Sequence, residues 1–315
     1  MSGGQKLALG GTVAVAIVAG VLNYTGADEV LVFVVAGLAL AGLAWLVSFA
    51  TEQVGARFGP AITGFLQSTL GNLPEFFIVV FALSAGQVVV AQTSIIGSLF
   101  ANALLVMGAV IVVGARHSED GCMRFRKRLP NDTATLLLVA SFIIVVVGLA
   151  LHSAGRAARH TDQISAVGAT CLLVVYAVWL SSYLRSDDPP RQAEGGRPAV
   201  TFGPALGMLA LGGVGAAVTS EWFIDALAPA ISRIGISPAF AGLVIVAIAG
   251  NAVENFTGIV LAAKGKSDLA VSVVKNSVAQ IAAFLFPLLV LVSLLFPTSL
   301  TFAVGPVYIG ALFLT

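Results

Sequence analysis

Ten apolar runs account for most of the chain and restrict it to one broad class of fold. A transmembrane helix needs about 20 consecutive apolar residues. Hydrophobic residues make up 58% of the 315 residues and charged residues only 10%, against about 25% charged in soluble domains. The mean hydropathy is +1.01. The sequence therefore predicts an all-α polytopic membrane protein and gives no indication of nucleic-acid binding. The predicted spans cover residues 7–23, 30–50, 60–84, 87–114, 133–152, 164–184, 202–222, 236–263, 268–296 and 301–315.

The basic residues predict how these spans are oriented, because cytoplasmic loops carry an excess of Lys and Arg. With the N-terminus in the cytoplasm, the inner segments hold twelve Lys and Arg and the outer segments hold three, while Lys275 lies within a span. This bias predicts a cytoplasmic N-terminus. The three outer residues are Arg156, Arg159 and Arg233.

Two spans carry copies of one polar motif, Gly-Asn-Leu-Pro-Glu at residues 71–75 and Gly-Asn-Ala-Val-Glu at residues 250–254. The offset is constant at 179, since 250 − 71 and 254 − 75 agree, and it extends to Ser98 and Ser277. A carboxylate within hydrocarbon costs about 2.5–3.5 kcal/mol on insertion scales. Two such residues at equivalent positions indicate an internal duplication that binds an ion or protons.

An odd number of spans in each copy would insert the second copy in the opposite sense. The prediction is two inverted-topology five-helix repeats, a construction of secondary transporters whose binding site lies at the midplane. Residues 1–29 would form an extra N-terminal helix, 30–184 the first repeat, 185–200 a cytoplasmic linker rich in Pro, Gly and charge, and 201–315 the second repeat. By this count the second repeat lacks its last helix, so we expect a C-terminal truncation.

Side-chain oxygens cluster beside both motifs. Asn72 and Glu75 are three residues apart and share a helical face. Pro74 disfavours helical geometry at Leu73 and predicts a broken helix there, whereas the second copy has no proline and should break more mildly. Carboxylates, amides and hydroxyls are the hard ligands that calcium prefers. The candidate cation ligands are Glu75, Glu254, Asn72, Asn251, Ser98, Asn102, Ser277 and Gln280.

These motifs resemble the cation/proton exchanger family of the calcium/cation antiporter superfamily. The resemblance covers roughly residues 30–300 and includes Ala-Thr-Glu at 50–52, Gly-Pro at 59–60, both Gly-Asn-x-x-Glu motifs, Gly97-Ser98 with Asn102, Ser-Glu at 220–221, Ser277 with Gln280, and Phe-Pro-Thr-Ser at 296–299. It implies exchange of calcium for protons by alternating access, with the motif glutamates as alternating calcium ligands and proton carriers. It also implies that Glu52 and Glu221 assist proton coupling near the cytoplasmic and outer approaches. No enzymatic activity and no cofactor are expected.

Three residues depart from the family pattern. Asn255 replaces a common histidine, and Lys275 with Asn276 occupies a position where the family usually has glycine before the serine. Lys275 either extends to the membrane interface or pairs with Glu254 or Glu75 and weakens divalent binding. Two alternatives stay open: a sodium/calcium or other cation exchanger of the same superfamily, and a cation channel. The expected location is a bacterial inner membrane.

Overall fold

The structure is a computed structural model, and it describes residues 1–55, 70–125, 128–152, 159–185 and 199–313. Within these ranges the regular elements are helices. We number them in chain order, joining segments that continue through a π-helical turn. The helices are α1 Gly3–Tyr24, α2 Glu29–Gly55, α3 Leu73–Ser84, α4 Val88–Arg116, α5 Arg128–His152, α6 Thr161–Arg185, α7 Phe202–Ile234, α8 Pro238–Gly250, α9 Ala252–Ala263, α10 Ser267–Ser293 and α11 Pro306–Phe313.

Most predicted spans are confirmed as helices. Among the described residues, six helices are long and apolar enough to cross a membrane, and the bent pair α8 and α9 makes a seventh. The predicted span 60–84 begins outside the described residues, and only α3 is seen. The span predicted at 301–315 is wrong in extent, because α11 begins at Pro306, a residue suited to the first helical position, and the described helix has eight residues.

Helix α7 is longer than the sequence predicted, since it continues for twelve residues beyond residue 222. The charged residues Glu221 and Asp225 lower the mean hydropathy around this point, and both are exposed on one face of the helix. Phe223, Ile224 and Leu227 on another face are buried. The helix ends at Gly235, whose φ of 73° is left-handed, a conformation that glycine adopts at little cost.

The long helices α2 and α7 pack side by side through much of their length. A Cβ atom at Gly212 would lie 2.8 Å from Val47, and one at Gly215 would lie 2.9 Å from Leu43. Near one end of the pair Phe33 stacks on Phe223. Because residue numbers fall in α2 as they rise in α7, the two helices are antiparallel. Helix α1 lies on this pair as a peripheral helix.

Helices α4 and α8 approach each other closely across the centre of the molecule. A Cβ atom at Gly97 would overlap the Leu243 carbonyl, and one at Gly242 would lie 2.8 Å from the Val90 carbonyl oxygen. Small residues permit such close contact between membrane helices. Each of these helices contains a π-helical segment, at Ala101–Val106 in α4 and Ala241–Val246 in α8. Short π-helical turns are frequent near functional sites.

The two ends of the molecule are defined by polar contacts. At one end the N-terminal amine donates to the Ala199 carbonyl at 3.0 Å, and the Ala199 amide donates to Gln53 at 2.7 Å. At the other end Arg233 pairs with Asp28. The N-terminus, the end of α2 and the start of α7 therefore lie on one side, as the predicted topology requires.

Candidate cation-binding site

Both Gly-Asn-x-x-Glu motifs lie at helix breaks. Asn72 precedes α3, and Asn251 separates α8 from α9, which are bent by 61° relative to each other. The second motif thus has a pronounced break without proline. Whether it is milder than the first stays a prediction, because residues 56–69 lie outside the described part of the chain.

The two motifs meet in space. A Cβ atom at Gly250 would lie 3.5 Å from the Glu75 Cβ atom, so the glycine of the second motif packs against the glutamate of the first. Glu75 and Glu254 each occupy the first turn of a helix, α3 and α9 respectively. The positive end of the helix dipole favours a negative charge at that position. The fold therefore places two carboxyl groups at equivalent helix N-termini.

A chain of buried hydrogen bonds connects the neighbouring helices. The Asn251 amide nitrogen donates to the Ser98 hydroxyl at 2.7 Å, and also to the Ala247 carbonyl at 3.0 Å. The Asn102 amide nitrogen donates to the Asn251 side-chain oxygen at 3.3 Å and to the Ser277 hydroxyl at 3.2 Å. Ser98, Asn251, Asn102 and Ser277 therefore form one polar network that joins α4, the break before α9, and α10.

Glu75 lies beside this network with its carboxyl group unpaired. The residue is 2% exposed, and Ser98 and Asn251 are polar neighbours. Neither carboxyl oxygen has a hydrogen-bond partner among the described residues, and the same holds for the side-chain oxygen of Asn102. Buried polar oxygens without partners are rare in folded proteins. Their chemistry fits a hard cation or protons as the missing partner.

The remaining predicted site residues differ in their burial. Glu254 and Gln280 are half-buried, and neither donates to or accepts from Asn102, Asn251, Ser98 or Ser277. Asn72 is 4% exposed. Glu52 and Glu221 are exposed on α2 and α7 and lie outside the central network. Lys275 is half-buried on α10, and it forms no ion pair with any residue that the structure describes.

Three polar residues were not predicted as part of a site. The side-chain oxygens of Asn255, Thr51 and Ser220 are buried and lack a hydrogen-bond partner within the described ranges. Asn255 follows Glu254 and was noted only as a departure from a family pattern. Thr51 and Ser220 each precede one of the exposed glutamates. The sequence signal that could have pointed to Thr51 and Ser220 is a hydroxyl residue followed by Glu, which occurs at 51–52 and again at 220–221.

The sequence matches the model of the family described as sodium/calcium exchanger protein over residues 29–184 and 204–315. The chain belongs to this family. Among curated relatives, it is 32% identical to a Ca²⁺/H⁺ antiporter of Synechocystis over 86% of this chain and 78% of the relative. It is also 32% identical to vacuolar cation/proton exchanger 1a of rice over 84% of this chain. Within the family it is therefore a cation/proton exchanger homologue, and it spans 63% of the length of the rice protein.

Solved structures confirm the fold. The structure of native YfkE matches with a TM-score of 0.80 and 25% identity, covering 96% of this chain and 87% of that chain. The H⁺/Ca²⁺ exchanger CAX matches with a TM-score of 0.76 at 15% identity, covering 99% and 80%. The sodium-calcium exchanger NCX_Mj is less similar, with a TM-score of 0.56 and coverage of 91% and 87%. The chain is an integral membrane protein with the transporter fold of these exchangers.

Proposed function

We propose that this protein is a secondary antiporter that exchanges calcium, or a related cation, for protons. The unpaired carboxyl group of Glu75, beside a buried network of hydroxyls and amides, is the observation that carries this proposal. Calcium takes six to eight oxygen ligands at about 2.3–2.6 Å. We propose as its ligands the residues of the polar network together with others from the predicted set, namely Glu75, Glu254, Asn72, Asn251, Ser98, Asn102, Ser277 and Gln280.

Competition between calcium and protons supplies the coupling. Glu75 and Glu254 belong to the two motifs that meet in space, and two nearby carboxylates resist ionisation unless a cation lies between them. One calcium ion would neutralise both groups, and two protons would do the same. The empty site with both groups ionised would remain uncompensated in a low-dielectric interior, which is costly. Only the loaded forms would change conformation, so calcium and protons would cross in alternation.

The position of the network supports alternating access. Its hydrogen bonds join residues 98 and 102 to residues 251 and 277, which belong to the two proposed repeats, 30–184 and 201–315. In transporters built from inverted repeats, one bundle of helices can move against the other around a site where the two repeats meet. We place the N-terminus in the cytoplasm of a bacterial cell and the protein in its inner membrane, with calcium leaving as protons enter. Glu52 and Glu221 would exchange protons with the two aqueous sides.

Transport in proteoliposomes tests this function. A proton gradient directed outward should drive calcium uptake, and a protonophore should abolish it. Glu75→Gln and Glu254→Gln should each reduce exchange to background, because an amide is a weaker ligand than a carboxylate and cannot carry the proton. Glu119→Gln is the control, since Glu119 is exposed in a loop. Full activity of either motif variant would contradict the proposal.

The same assay separates the alternatives. Dependence on a sodium gradient would indicate a sodium/calcium exchanger, and uptake of a monovalent cation would indicate that Lys275 and Asn276 alter selectivity. Conductive flux without counter-transport would indicate a channel.

A further inference from the structure

Thr51 and Ser220 are buried hydroxyl residues, one on each of the paired helices α2 and α7. Both are 0% exposed, and neither hydroxyl oxygen has a hydrogen-bond partner among the described residues. Thr51 lies on α2 immediately before the exposed Glu52, and Ser220 lies on α7 immediately before the exposed Glu221. The exchange mechanism proposed above uses neither hydroxyl.

The lack of a partner is unusual for a hydroxyl within a helix. Ser and Thr in helices commonly donate to the carbonyl three or four residues earlier. Three other buried hydroxyls of this protein do so: Thr93 donates to the Val89 carbonyl at 2.6 Å, Ser94 to Ala91 at 3.0 Å and Ser293 to Val290 at 2.7 Å. Thr51 and Ser220 have the same opportunity and do not take it. Their hydroxyls remain available to a ligand that both donates and accepts.

The two hydroxyls lie on opposite sides of the centre of the α2–α7 pair. Val47 packs beside Gly212 and Leu43 beside Gly215, so residues at the same level have numbers that sum to about 259. Thr51 is thus level with residue 208 of α7, and Ser220 is level with residue 39 of α2. At 1.5 Å per residue the two hydroxyls are separated by roughly 18 Å along the pair.

Each hydroxyl belongs to a helix that packs against one of the glutamate-bearing helices. The segment of α7 around Ser220 follows α3, since Gly213 approaches Leu73 and the Ile224 carbonyl accepts from Gln87 at 3.5 Å. Helix α2 contacts both α8 and α9. Thr51 is two residues from Gln53, which binds the Ala199 amide at one end of the molecule, whereas Ser220 lies towards the end marked by Arg233 and Asp28.

We propose that Thr51 and Ser220 are two water-binding sites, one on each route between the carboxyl groups and an aqueous side of the membrane. Each hydroxyl donates to and accepts from a water molecule when its route is open, and that water carries protons or hydrates the passing cation. The role of the two hydroxyls in exchange rests on the function proposed above. Water access to them does not depend on transport and can be tested without it.

Cysteine accessibility tests the proposal directly. In the full chain carrying Cys122→Ser and Cys171→Ser, the variants Thr51→Cys and Ser220→Cys would be treated from one side at a time with a membrane-impermeant cationic methanethiosulfonate. Modification of Thr51→Cys is expected from the side of residue 199, and modification of Ser220→Cys from the opposite side. Thr93→Cys, a control whose native hydroxyl is satisfied within its helix, should stay unmodified. The proposal would be overturned if neither position is modified under either direction of the gradient. It would also be overturned if both positions are modified from the same side.

Isosteric variants supply a second readout. Thr51→Val and Ser220→Ala should lower the maximal exchange rate by about tenfold, the equivalent of one lost hydrogen bond, without lowering the melting temperature. Thr93→Val and Ser94→Ala are matched controls and should exchange at the parental rate. Unchanged rates in Thr51→Val and Ser220→Ala would contradict a role in transport. If the parent itself moves no calcium, the cysteine result still decides whether water reaches these positions.

Discussion

At Gly97 the backbone of α4 approaches the backbone of α8 so closely that no side chain fits between them. Gly97→Ala would force its methyl group against the Leu243 carbonyl, and overpacking of this kind costs about 1–3 kcal/mol. We expect a lower melting temperature in detergent and a loss of exchange, because Ser98 follows directly. Gly108→Ala in the same helix is the matched control, since a Cβ atom there meets nothing within 4 Å. Equal melting temperatures for the two variants would contradict this account.

Much of the candidate network was predictable from individual residues. Ser98, Asn102, Asn251 and Ser277 were predicted as candidate ligands because they are oxygen donors that recur beside both motifs, although which of them pair with each other was not predicted. The burial of the predicted site residues was harder to predict from the sequence. Gln280 shares a helical face with Ser277 in sequence, yet it is half-buried while Ser277 is 3% exposed, since side-chain exposure depends on neighbouring helices that the local spacing does not specify.

The α2–α7 pair is joined at one end by the ion pair between Arg233 and Asp28. The Arg233 guanidinium, through its hydrogen bond, holds the pKa of Asp28 below its ordinary value of 3.8. A carboxyl group with a lowered pKa in the folded state adds stability above that ordinary value and loses it as the pH falls through the lowered one. Asp28→Asn should therefore lower the melting temperature at neutral pH by about one or two degrees, the scale of an exposed ion pair.

Melting curves recorded in detergent from neutral pH down to about pH 3 check this prediction. The difference between the parent and Asp28→Asn should shrink as the pH falls, and also as salt screens the pair. Glu119→Gln, which removes an exposed carboxylate without a described ion pair, should show no such trend. A difference that persists at low pH would point to a contribution other than charge.

The extent of individual helices was harder to predict than their existence. The end of α7 was missed because hydropathy averages over all faces, whereas Phe223 and Leu227 are buried on one face beside the exposed Asp225. Pro229 within the same helix also argued against its continuation, but the helix tolerates it. Neighbouring helices and side chains can satisfy the backbone groups that a proline frees in a membrane helix.

For the whole molecule, the close contacts divide the helices into a pair, α2 with α7, and a central group that includes α4 and α8. If exchange requires one to move against the other, a covalent link between them should block it. Gln87→Cys with Ile224→Cys joins the central group to the pair, because Gln87 contacts the Ile224 carbonyl. A bifunctional maleimide should abolish calcium uptake by this variant in the background without Cys122 and Cys171.

The control link stays within the pair. Asp28→Cys with Arg233→Cys connects α2 to α7 at the position of their ion pair, and the same reagent should leave uptake largely intact. Samples without reagent show whether the substitutions alone impair transport. Inhibition by both links, or by neither, would mean that the moving parts are divided differently.

The two motif glutamates also have a consequence for the energy source. A site that holds either one divalent cation or two protons on two carboxylates carries the same net charge in both directions. The membrane potential, worth about 2.3 kcal/mol per elementary charge at 100 mV, would then exert no net force on the cycle. The direction of exchange would follow the two concentration ratios alone, and a cell could reverse it by changing pH without altering its voltage.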